Sequence, residues 1–126
     1  MGWDIYLTNN EESVEVPTQT HIGSLLVFAV DENHNEIHRA KMRAHLSITF
    51  NYRDEYARVF GDTSLNWLHG QVAKRTIKRL QKGVKLLGTH RGDNYWKSSP
   101  GNAGYWLRVM LHWARLHPDA IWKVYA

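Results

Sequence analysis

The stretch NYWKSSPGNAGYWLRVMLHWARLHP, Asn94 to Pro118, leaves its backbone little choice. Ser99 can accept a hydrogen bond from the first turn of a helix. Pro100 suits the first helical position, where a missing N–H costs nothing. Ala103, Trp106, Leu107, Met110, Leu111 and Ala114 then recur at the spacing of one helix face. Pro118 ends the helix. Trp106 belongs to the buried stripe. Trp113 is placed off it, beside Arg108, His112 and Arg115, either as an exposed interface residue or as a cover for the core edge.

Upstream, DTSLNWLHGQVAKRTIKRLQKGVKLLG predicts the longest helix, capped by Asp62, Thr63 or Ser64 and closed by Gly88. Leu65, Leu68, Val72, Ile77, Leu80, Val84 and Leu87 form its buried face. RDEYARVFG is a short helix ended by Gly61. Alternation predicts strands at Trp3–Thr8 and around Leu46, Ile48 and Phe50, and AIWKVY predicts a last strand over Ala120–Tyr125. HIGSLLVFAV, His21 to Val30, reads as one strand, Asp31 to Glu36 as a turn, and NNEESVEVPTQT as a loop or ragged edge strand interrupted by Pro17. The order β-β-β-α-α-α-β predicts a single α+β domain over 126 residues. An antiparallel or mixed sheet of about four strands packs against two or three helices.

The chain has no cysteine, which removes disulfides and cysteine-based zinc sites and points to the cytoplasm. No apolar run reaches membrane-span length, and MGWDIYLTNNEESVEV has neither the basic nor the apolar region of a signal peptide, so no membrane partner is expected. The net charge of +4 is unevenly spread. Residues 1–62 carry 5 Lys/Arg against 10 Asp/Glu, and residues 63–126 carry 11 against 2. The second half suits phosphates or an acidic protein, and the opposed halves also suit head-to-tail homo-oligomers.

Two groups of residues stand out for binding. Lys74, Arg75, Lys78, Arg79, Lys82 and Lys85 cluster on one exposed side of the long helix, with no acid between Thr63 and Gly92. That row fits a line of phosphates or an acidic partner, and otherwise is a solvated helix face. The second group is the turn that starts the last helix. A helix N-terminus presents unpaired N–H groups and partial positive charge. Gly101 and Gly104 would admit a ligand close to the backbone, Ser98, Ser99 and Asn102 add polar groups, Tyr95, Trp96 and Tyr105 could stack on a base, and Arg91 and Lys97 could meet a phosphate. The plain alternative is a capped helix whose glycines serve tight packing. The sequence is neither a Walker loop nor GxGxxG.

Chemistry beyond binding finds little support. His34 and His38 with His21 and His45 lack metal-ligand spacing for the turn and strands expected there. Neither GxSxG nor Ser-xx-Lys occurs, and the adjacent pairs Asp31-Glu32 and Asp54-Glu55 suit turns and caps. No catalytic residue, metal or cofactor is expected.

Taken in order, LSITFNYRDEYARVFG, LHGQVAKRTIKRLQKGVKLLG and NYWKSSPGNAGYWLRVMLHWARLHPDAIWKV resemble a widespread family of small bacteriophage and prophage proteins, over roughly residues 42–126. The resemblance implies a phage accessory protein working in the host cytoplasm. Small phage proteins of this kind often inhibit a host defence, by blocking a defence protein or by sequestering a nucleotide second messenger. The expectation is therefore a non-enzymatic binder of one of these. Direct DNA or RNA binding, or a small nucleotide-acting enzyme, are the alternatives.

Overall fold

In a computed structural model the strands run β1 (Gly2–Asn9), β2 (Glu12–Ser13), β3 (Glu15–Pro17), β4 (Gln19–Ile22), β5 (Leu25–Phe28), β6 (Lys41–Arg43), β7 (His45–Thr49) and β8 (Ile121–Tyr125). Between β7 and β8 come the helices α1 (Arg53–Phe60), α2 (Ala73–Leu87) and α3 (Pro100–Leu116). The structure describes residues 2–17, 19–22, 25–28 and 41–126. The predicted turn at Asp31 to Glu36, with His34 and His38, lies outside them.

Alternation builds the sheet. Trp3, Ile5 and Leu7 of β1, Leu46 and Ile48 of β7, and Trp122 and Val124 of β8 are all buried. Asp4, Tyr6, His45, Ser47, Lys123 and Tyr125 occupy the alternate positions, which are half-buried or exposed. β1 is the centre: it pairs antiparallel with β7 through Trp3↔Ile48 and with β8 through Ile5↔Val124, while β2 continues beside its end through Thr8↔Ser13. This four-stranded antiparallel sheet, covered by three helices, is the expected α+β fold. β3 pairs with β6 and β4 with β5 as separate ribbons.

Three expectations need correction. Within the strand predicted over His21–Val30, the described residues belong to two strands, β4 and β5, paired antiparallel with Ile22 opposite Leu25, and Gly23, Ser24, Ala29 and Val30 lie outside the described residues. The long helix predicted from Asp62 begins only at Ala73. Gly70 adopts φ +80, which ordinary side chains avoid, and Gln71 and Val72 instead bond along β8. Residues Ser64–Leu68 form a separate 3-10 turn. Trp113 is fully buried, not exposed. It lies seven residues, two helical turns, after Trp106 and therefore on the same face. The narrow stripe of α3 is in fact the exposed one, Arg108, His112, Arg115 and Leu116.

The β8 edge of the sheet is covered, and the β7 edge is met at its end by one side chain. Along β8, Gly70 N–H donates to Trp122 O at 2.8 Å, Trp122 N–H to Gln71 O at 3.0 Å, and Val124 N–H to His69 Nδ1 at 3.0 Å. At β7, Thr49 N–H donates to the Tyr95 hydroxyl at 2.8 Å. Covering an edge in this way removes a template for unwanted strand pairing. α2 packs chiefly on α3, and the core gathers Trp106, Trp113, Trp122, Tyr52 and Tyr56 between helices and sheet.

Candidate functional site

The predicted ligand residues lie in the loop between α2 and α3 and on the first turns of α3, where the structure buries Tyr95, Asn102, Gly104 and Tyr105 and leaves Trp96 and Ser98 exposed. Ser99 caps α3 as expected, accepting from Asn102 N–H at 3.2 Å. Asn102 is only 2% exposed. Its Oδ1 accepts from Gly92 N–H at 2.8 Å, and its Nδ2 donates to Asn94 O at 3.0 Å and Lys97 O at 2.9 Å. Both amide protons are thus consumed, so this side chain has no N–H left to read a ligand edge. A Cβ on Gly104 would collide with the Gly88 carbonyl oxygen, and one on Gly101 with that of His90. The close approach that these glycines permit is made by the protein's own backbone.

The aromatic residues divide. Tyr95 is buried, edge-on to Tyr52, Trp96 and Trp106, with its hydroxyl at the β7 edge. Tyr105 is also buried, with the guanidinium of Arg91 4.6 Å and that of Arg108 5.0 Å from its ring centroid. Neither ring face is offered to a base. Trp96 alone of the three stays largely exposed, at 53%. Its backbone is held by Asn51, whose Nδ2 donates to Trp96 O at 2.8 Å.

Two hollows flank this loop. One, of about 600 Å³, is lined by residues including His90, Asp93, Lys97, Ser99, Gly101 and Asn102. The other, of about 560 Å³, lies between the end of β7, the start of α1 and Ser98. Ser98 donates there to Glu55 Oε1 at 2.5 Å. This pair, 43 residues apart, has no local sequence signal. Nearby, burial first and neighbouring charge second push the Tyr52 and Tyr56 hydroxyls well above their ordinary pKa, so both stay protonated into alkaline solution. Tyr52 donates to Tyr95 O and Tyr56 to Ala103 O, so these phenols tie the loop and α3 to α1.

The basic row is exposed as predicted. Lys74, Arg75, Lys78, Arg79, Lys82 and Lys85 all face solvent. Buried Ala73, Thr76, Leu80, Gly83 and Leu87 hold the opposite face of α2 against the core. From Lys74 to Lys85 the row runs about 16 Å at the helical rise. Arg79 lies 4.2 Å over the Trp67 ring and donates to Phe60 O at 3.3 Å, which fixes its position. Lys74 pairs with Asp119 at 3.1 Å, both groups exposed, a contact of little energetic weight. Neither α2 nor α3 contains an acid. Among the described residues no three His, Asp or Glu side chains gather to hold a metal, and no helix is long and apolar enough to cross a membrane.

Comparison with protein-family models, with curated proteins and with solved structures finds no match to this chain.

Proposed function

We propose that this chain is a non-enzymatic accessory protein of the bacteriophage type, which counters a host defence by docking the exposed face of α2 on an acidic surface of a defence protein. The observation that carries this reading is the uninterrupted row of six exposed cations on α2, with no acid on it or on the neighbouring α3. Such a face would attract an acidic partner over several ångströms and orient it before contact. Arg79, already immobilised on Trp67 and Phe60, would give up less freedom on binding than the lysines around it.

A nucleotide-sequestering version is supported less well. Asn102, the residue suited to reading a base edge, spends its amide on the loop. Nucleic acid on the α2 face is the second reading, favoured by Lys74, Lys78 and Lys82 standing one turn apart.

Affinity capture from host lysate, followed by reconstitution from purified components, separates these readings. An acidic protein held by the native chain and released by the double reversal Lys78→Glu/Lys82→Glu supports the proposal. A reconstituted complex indifferent to that reversal overturns it. Duplex DNA run in parallel, between about 50 and about 200 mM salt, identifies the second reading by a steep loss of affinity.

A further inference from the structure

The hollow beside Ser98 differs in charge from the α2 face. Asn51, Arg53, Asp54, Trp96 and Ser98 are among its lining residues. Glu55 lies directly behind Ser98, only 6% exposed. One carboxylate oxygen accepts the Ser98 hydroxyl at 2.5 Å, while Oε2 is buried with no hydrogen-bond partner. A buried carboxylate oxygen without a donor is costly, and in proteins such a group has a reason for being there. Ser98 is exposed and lines the hollow, so its hydroxyl joins that carboxylate to the open space.

The charges decide what the hollow would take. Arg53 and Asp54 in the lining balance each other, and the Glu55 carboxylate behind Ser98, with one oxygen unpartnered, adds a negative charge, which disfavours a phosphate and favours a cation. Trp96 adds a ring that is 53% exposed on backbone pinned by Asn51. An exposed indole beside carboxylates is the chemistry that receives an organic cation, the ring through its negative face and the acids through charge-assisted hydrogen bonds.

We propose that this hollow binds an alkylammonium or guanidinium group, stacked on Trp96, countered by Asp54, and donating an N–H to the Glu55 carboxylate at the oxygen that Ser98 now holds. Rotation of Ser98 about its one side-chain torsion opens the carboxylate to the ligand. The site is independent of the basic face of α2.

The test is a nuclear magnetic resonance titration of the whole chain with Nα-acetyl-arginine amide, and with its neutral isostere Nα-acetyl-citrulline amide. The arginine derivative is expected to shift the backbone signals of Asn51, Arg53 and Ser98 and the Trp96 indole N–H saturably, and the citrulline derivative to leave them in place. Glu55→Gln is expected to weaken binding about tenfold or more, the scale of one hydrogen bond to a charged group. Asp54→Asn and Trp96→Ala change exposed residues, so they test the site even if Glu55→Gln unfolds. Spermidine and an arginine-containing tripeptide as further arms distinguish a free polyamine from a partner's side chain. Equal shifts with citrulline, no saturable shift with any cation, or binding unaltered by both Asp54→Asn and Trp96→Ala would overturn the proposal.

Discussion

Asn102→Ala is the sharpest test of whether the loop before α3 is held by its own fold. The substitution removes three side-chain hydrogen bonds, to Gly92 N–H, Asn94 O and Lys97 O. Each such bond is worth about 1 kcal/mol net, and a donor left buried without a partner costs about 1–3 kcal/mol. Gly92 is exposed, so water can satisfy its N–H after a small movement. The expected loss is therefore about 3 kcal/mol. In a domain of 126 residues this lowers the unfolding midpoint by about 10 °C. Urea denaturation measures the loss directly, and hydrogen exchange should show Gly92 N–H losing protection first. A loss below about 1 kcal/mol, with Gly92 exchange unchanged, would refute the assignment of Asn102 to the loop and return its amide to a ligand.

Gly104→Ala drives a methyl group into the Gly88 carbonyl and is expected to cost about 3 kcal/mol or more by parting α3 from the end of α2; differential scanning calorimetry measures it, and an unchanged midpoint would contradict the packing. Trp113→Ala should cost about 3–5 kcal/mol. Trp113→Phe should cost far less in the same urea series, because it also removes a buried indole N–H that has no partner. Tyr52 and Tyr56 hold their protons more tightly folded than unfolded, so their contribution is complete below about pH 10 and is lost as pH climbs above it. Phenolate absorbance should then fall short of all six tyrosines until the fold is lost, and full ionisation of a still-folded chain would contradict their burial. Lys78→Glu/Lys82→Glu alters exposed side chains only, and its unfolding free energy from urea denaturation should stay within about 0.5 kcal/mol of the native value.

The last helix was legible because three independent signals agree on it: the Ser99-Pro100 start, the apolar period and the Pro118 stop. The alternation in Trp3–Leu7 and in the closing strand was legible for the same reason, since one sheet face is buried and the other is not. The start of α2 was hidden because leucines of the 3-10 turn happen to continue the helical spacing while Gly70 turns the backbone away. Trp113 is hard to place from sequence because Arg108, His112 and Arg115 surround it along the chain while its two-turn spacing from Trp106 puts it on the buried face. The partners of Asn102, Tyr95 and Ser98 are set by how the loop folds onto β7 and α1, and periodicity carries no information about such contacts. The hollow at Glu55 is of that kind, which is why its two acids read only as caps.

β1 sits between strands that follow it by some forty and more than a hundred residues, and Thr8 Oγ1 donates to Ile121 O at 3.0 Å. During synthesis the central strand therefore emerges well before β8, which pairs along one of its sides. Until then one of its edges stays unpaired, in a chain whose contacts are far apart in sequence and form slowly. A nascent chain stalled before Ile121 would thus be a client for chaperones and proteases rather than a partly working protein.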